Sequence, residues 1–129
     1  MISTSVLEEM VAARGYACAV AVDDAGAVTA RAGDFAQQHF ASLISALLGP
    51  RGSAKTTFES LKVQILPQIW TQGVAIAVLD RPFPGCVVAV FSTAPEIVTS
   101  SPNEATALYL WSREVAADLR HRVGAEPLP

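Results

Sequence analysis

Eight residues, Gly49-Pro50-Arg51-Gly52-Ser53-Ala54-Lys55-Thr56, carry the first glycine, the lysine and the threonine of a phosphate-cradling loop at the right spacing. In such a loop backbone N–H groups wrap the phosphates, and Ala54 stands where the wrap needs a second glycine. The context also fails, because a phosphate loop follows a strand and opens a helix, whereas this segment follows a helical pattern and precedes a strand pattern. It reads as an ordinary polar loop, and the chain is not expected to hydrolyse nucleotides itself. A metal site needs clustered ligands, but His39, His121, Cys18 and Cys86 are isolated in sequence, so neither metal nor cofactor is expected. Cys18 and Cys86 sit in apolar runs that raise a thiol's pKa, and no Gly-x-Ser-x-Gly nucleophile turn is present. Catalysis by this chain alone is not expected; an enzyme using Cys86 is the weakest of the readings left open.

The elements that would position these residues follow from hydrophobic period and turn chemistry. Ser5 with Glu8 forms a capping-box pattern ahead of Val6, Leu7, Met10 and Val11, and Gly15 stops a first helix over about 5–14. Two short apolar runs, 16–22 and 27–31, flank Asp23-Asp24-Ala25-Gly26 and predict a hairpin. Phe40, Leu43, Ile44, Leu47 and Leu48 recur at helical spacing, predicting a second helix over 35–48 that Gly49-Pro50 ends. Leu61, Val63 and Ile65 alternate with polar residues as a third strand, 69–79 reads as a central strand, and 86–91 as another buried one. Asp80-Arg81-Pro82-Phe83-Pro84-Gly85 reads as the turn between the last two, with a connector over 92–100. Ser101-Pro102-Asn103-Glu104 then predicts a third helix to about His121, capped by Ser101 and burying Leu108, Trp111, Val115 and Leu119. The sum is a mixed α/β (α+β) sandwich with a five-stranded antiparallel sheet, in one domain over 1–123 followed by a short flexible tail at 124–129.

Composition bounds the function. Nine Lys and Arg against twelve Asp and Glu give a net charge of −3, without the basic excess that nucleic-acid binding needs. The first residues lack a basic n-region and a long apolar core, and no run approaches the ~20 apolar residues that span a bilayer, so a cytoplasmic protein with no membrane insertion is expected. A 51% hydrophobic content with 16% charge is high for an isolated monomer, and some apolar surface is expected to face a partner. The apolar stripe on the second helix is wider than one sheet face requires, which is how a two-layer domain makes a dimer seam.

The element order, the hairpin Ala19-Val20-Ala21-Val22-Asp23-Asp24-Ala25-Gly26-Ala27-Val28, and the helix with Ala41, Leu47 and Leu48 resemble the roadblock (dynein light chain) domain family over about residues 4–122. The resemblance implies a sheet ordered 2-1-5-4-3 in chain numbering, the second helix on one face and the first and third on the other. It implies a homodimer whose interface takes Phe40, Leu43, Ile44, Leu47 and Leu48 from the second helix and Phe58, Leu61, Val63 and Ile65 from the third strand. It further implies a role beside a small Ras-like GTPase or a roadblock-domain paralogue, as in the family's bacterial regulators of cell polarity and gliding motility. A GTPase activator must donate an arginine finger or order its partner's catalytic groups, and Arg51 and Arg81 are the arginines on expected turns. A small-molecule sensor of the PAS-like or profilin-like kind, which also builds on an antiparallel sheet flanked by helices, is the alternative.

Overall fold

The computed structural model describes residues 2–49 and 67–129. Helix α1 spans Thr4–Arg14 and begins earlier than Ser5 implied. Ser3 is the cap, its side chain accepting from the Val6 N–H at 3.3 Å, while Gly15 closes the helix at φ 69 as expected. Strands β1 (Cys18–Asp23) and β2 (Val28–Gly33) form the expected hairpin. Asp23 holds its turn by accepting from the N–H groups of Ala25 at 3.0 Å and Ala27 at 2.9 Å.

Gly33 ends β2 at φ 88, and a Cβ there would collide with the Ala17 carbonyl and lie 2.7 Å from the Cys18 Cα. Gly33→Ala is therefore expected to destabilise the protein by at least about 2 kcal/mol, from left-handed strain plus backbone collision. Urea denaturation with an unchanged m-value would measure it, and a wild-type midpoint would show that the chain leaving β2 can move away from Ala17 and Cys18 at little cost.

The second helix starts later than its periodicity suggested. Asp34 accepts from the Ala36 N–H at 2.8 Å in a side-chain-stabilised turn, a single 3₁₀ turn follows at Gln38–Phe40, and α2 proper spans Ala41–Leu48. Phe35 packs against the core from this loop with the Arg31 guanidinium 5.2 Å above its ring, so its place in the apolar pattern was not helical.

The expected single strand over 69–79 is a hairpin. Strand β3 (Gln68–Gln72) pairs antiparallel with β4 (Ala75–Phe83), Gln72 opposite Ala75, around a two-residue loop whose first position, Gly73, has φ 59. The strand expected at Leu61, Val63 and Ile65 lies outside the described residues. Strand β4 also runs past Asp80 to Phe83, where a turn was expected: Pro82 is absorbed by a bulge between Asp80 and Phe83, leaving Pro84-Gly85 to turn into β5 (Cys86–Thr93).

The expected connector holds a short helix α3 (Glu96–Thr99), and α4 (Glu104–Val123) follows. Its cap is Asn103 rather than Ser101, with the Asn103 side chain accepting from the Thr106 N–H at 3.1 Å. The Ser101 hydroxyl instead accepts from the Asn103 N–H at 3.2 Å.

The sheet order is β2-β1-β5-β4-β3, all pairs antiparallel, as the resemblance implied. Alternation along each strand sends Val20, Leu79 and Phe91 toward α2 with Phe40, Leu43 and Leu47. It sends Ala19, Val78 and Val90 toward α1 and α4, where they meet Leu7, Met10, Val115 and Leu119. Both faces of the three central strands are buried, which is why β1, β4 and β5 read as continuous apolar runs.

Candidate interaction surface

Helix α2 is eight residues long, and only part of its wide apolar stripe is free to meet a partner. The inner part is core: Phe40, just before the helix, and Leu43 and Leu47 within it are 0%, 6% and 0% exposed against the sheet. Ile44 and Leu48 are half-buried at the margin, packed against the same cluster. The exposed face is made of Ala41, Ser42, Ser45 and Ala46, small side chains that let another helix approach its backbone closely. On the sheet, β3 pairs with β4, and among the described residues no strand pairs with its other side. Trp70 of β3 packs on the α2 face and Ile69 on the α4 face. Of the expected interface residues, Phe40, Leu43 and Leu47 are thus core, Ile44 and Leu48 stand at its margin, and Phe58, Leu61, Val63 and Ile65 lie outside the described residues, as does Arg51.

Arg81 is not on a turn. It sits at the β4 bulge, half-buried, and its Nε is buried with no hydrogen-bond partner among the described residues. Beside it lies an ion pair that sequence reasoning missed. Asp80, 1% exposed, accepts from Arg120 Nε at 2.7 Å and from Nη2 at 2.8 Å, a two-pronged contact that joins β4 to α4. Arg120 also donates to the Arg81 carbonyl at 3.2 Å and through Nη1 to the Glu126 carbonyl at 3.0 Å. Hydrogen bonding to Asp80 raises the Arg120 pKa still further above its ordinary value. A signal did exist: Ile76, Val78 and Asp80 form one row on β4, and Arg120 follows Ala116 by four residues on the buried stripe of α4. A cation on one apolar face and a carboxylate on the facing row demand each other.

The remaining candidates are spread over both faces of the sheet. Cys18 lies on the α2 face of the sheet and Cys86 against the cluster on the other face, both as free thiols. Burial, with a smaller push from Asp34, raises the Cys18 pKa to about 12. Burial likewise raises that of Cys86, which lines a hollow of about 190 Å³ with Asp23 and Phe83. His39 packs edge-on against Phe40, and His121 is exposed on α4. No group of three or more His, Cys, Asp or Glu among the described residues could hold a metal ion. No helix among them is long and apolar enough to cross a membrane.

Tyr16, edge-on to Trp111 at 6.5 Å, is raised by burial to about 12. In the unfolded chain the thiol of Cys18 and the phenol of Tyr16 ionise from their ordinary values of 9.0 and 10.0, whereas the folded chain keeps both protons to about 12. Stability from these groups is therefore expected to be flat below about pH 9 and to fall as pH rises from there through 12. Melting temperatures taken across that range check it; a Cys18→Ala variant should lose part of the slope.

A scan against protein-family models finds no match, and no curated protein matches either. Solved structures do. MglB of Myxococcus xanthus is similar at 13% identity with a TM-score of 0.53, covering 94% of this chain and 94% of that one. The gliding protein mglB of Thermus thermophilus is similar at 14% identity and a TM-score of 0.51, over 93% of this chain and 87% of that one. A Roadblock/LC7 domain of Streptomyces avermitilis is similar at 16% identity and a TM-score of 0.52, over 94% of each chain. What this chain shares with them is the fold.

Proposed function

We propose that this chain, which has the roadblock fold, is a non-enzymatic interaction module. It pairs through α2 and the sheet edge at β3 into a dimer, and as that dimer regulates or scaffolds a small Ras-like GTPase of a polarity or motility system. The observation that carries the reading is the exposed face of α2, Ala41, Ser42, Ser45 and Ala46, flanked by half-buried Ile44 and Leu48 and set beside β3, the last strand of the sheet among the described residues. Small residues permit close backbone approach, and the apolar margin supplies burial once a second copy arrives. A sheet edge is also a template on which a partner strand can pair. The GTPase is proposed from the likeness in fold to the gliding protein and to MglB. The sensor alternative draws no support from the sheet, whose two faces are filled by side chains such as Phe91, Leu79, Val78 and Val90.

The test is in two steps. Sedimentation velocity on the wild type should give the mass of a dimer. The dimer should then bind a small Ras-like GTPase loaded with a GTP analogue more tightly than the same GTPase loaded with GDP. A wild type that is monomeric at the highest soluble concentration removes the pairing, and equal or no binding to the two nucleotide states removes the GTPase role. Where hydrolysis is stimulated, Arg51→Ala and Arg81→Ala are expected to weaken it if either arginine contacts the partner; unchanged rates in both would exclude a donated arginine finger.

A further inference from the structure

Residues 125–129 turn back along the outer face of α4. Gly124 reverses the chain at φ 69, and the Ala125 N–H donates to the Arg120 carbonyl at 2.9 Å. Arg120 Nη1 and Arg113 Nη2 then donate to the main-chain oxygens of Glu126 and Pro129, each at 3.0 Å. Residue order restricts the shape of this segment. Pro127 and Pro129 each hold their own φ at about −65°, and each pushes the residue before it, Glu126 or Leu128, out of the helical region toward polyproline II. The spacings match. A polyproline II chain repeats every three residues and advances about 9 Å in doing so, which turns the oxygens of Glu126 and Pro129 to the same side. Arg113 and Arg120, seven residues apart, are separated by about 10.5 Å along the axis of α4.

The tail does not fill its seat. Ala117 and His121, on the same row of α4 as Arg113, line a hollow of about 320 Å³ with Pro127 and Leu128. Glu126, Pro127 and Pro129 remain exposed, and Leu128 is half-buried. One turn beyond Arg113 on that row, Tyr109 stands 45% exposed, its ring 5.9 Å from the Arg113 guanidinium. An exposed aromatic in line with donors to main-chain oxygens suits a proline-rich segment, which offers carbonyls and ring faces but few N–H groups.

We propose that this face of α4 docks an extended proline-containing segment of a partner protein, and that residues 125–129 are its resident competitor. The partner segment lies as the tail does, with carbonyls three residues apart on Arg120 and Arg113. A further proline two residues on, about 6 Å along, then meets Tyr109. The row from Tyr109 to Arg120 covers about 16 Å of helix, the reach of a peptide chain rather than of a small metabolite. Tethering gives the tail a high local concentration, so it covers the face until a segment that also gains Tyr109 and the hollow displaces it. That the segment belongs to another protein rests on the reading of this chain as an interaction module. The groove itself rests on the two arginines, the exposed aromatic and the tail seated beside them.

The experiment uses the whole chain labelled with ¹⁵N and follows the Arg113 Nε–H and the amides of Ala117, His121 and Leu128. The probes are acetyl-Glu-Pro-Leu-Pro-Pro-Pro-amide and the same peptide with every proline replaced by alanine. Pro127→Gly/Pro129→Gly loosens the tail and serves as the open receptor. The proline peptide should shift the α4 resonances of that variant saturably, and the alanine peptide should bind at least about tenfold more weakly. Arg113→Gln or Tyr109→Ala in the open variant should weaken binding by a similar factor while the rest of the spectrum stays in place. On the wild type the proline peptide should bind at least about fivefold more weakly than on the open variant and should move the Leu128 amide to its random-coil position as the tail leaves. No saturable shift in the open variant would overturn the groove, and equal binding of the alanine peptide would overturn polyproline recognition. A Leu128 amide that stays in place while the wild type saturates would overturn the resident competitor. None of these results depends on the oligomeric state or on GTPase binding, so the failure of this site and of the pairing model are separable.

Discussion

Arg120→Met is expected to lower the melting temperature by roughly 10–20 °C, the consequence of about 3–5 kcal/mol lost when one partner of a buried ion pair is removed. The cost falls on the partner left behind. Asp80 is 1% exposed, and without Arg120 its carboxylate sits in a low-dielectric site with both strong donors gone. Asp80→Ala should cost a similar amount by stranding the guanidinium. The double variant Asp80→Leu/Arg120→Met removes both charges together and should recover most of the stability, because a buried pair is worth little against well-packed apolar residues. It should not recover the tail: Arg120 Nη1 holds the Glu126 carbonyl, so limited proteolysis of residues 125–129 should quicken in Arg120→Met and in the double variant alike. Differential scanning calorimetry with a timed protease digest reads both effects. A double variant no more stable than the single ones would show that geometry, rather than stranded charge, sets the cost.

Ser45→Arg, and separately Ala46→Glu, should turn the proposed dimer into a monomer, raising the dimer dissociation constant at least about a hundredfold, or roughly 2.7 kcal/mol. Both positions are exposed on α2, so neither change disturbs the protomer's own core. A long charged side chain there holds two helices apart and places a charge in the region meant to lose water. Leu47→Asp is the wrong tool, since Leu47 is 0% exposed and a charge there unfolds the protomer rather than splitting a pair. Sedimentation velocity across a concentration series, with circular dichroism to confirm a folded protomer, is the measurement. A variant that remains dimeric with native dichroism would move the interface away from α2.

The placement of Leu47 shows where the sequence could be read and where it could not. The stripe Phe40, Leu43, Ile44, Leu47 and Leu48 is visible as a period, but a period gives a direction around the helix axis and no account of what stands opposite. Only packing against β1, β4 and β5 assigns Phe40, Leu43 and Leu47 to the core and leaves the serine and alanine face outward. The caps show the same limit on a smaller scale. Ser3, Ser5, Ser101 and Asn103 are all competent, and the choice of Ser3 and Asn103 turns on fractions of a helical turn that tertiary packing sets.

Apolar run length and turn residues by themselves determined two buried strands, a hairpin at Asp23–Gly26, helices stopped by Gly15 and begun near Asn103, and cysteines placed in apolar surroundings. These depend on the nearest few residues and on whether a segment is covered, both of which composition and period record. The division of 68–83 into β3 and β4, the bulge that carries Pro82 inside a strand and the Asp80–Arg120 pair were decided by the tertiary structure. Each depends on register between segments far apart in the chain: Asp80 and Arg120 are separated by 40 residues, and their meeting follows from α4 crossing β4 where the bulge lies. Local period cannot encode that distance, because the free energy that selects it is released only when both surfaces are already in contact.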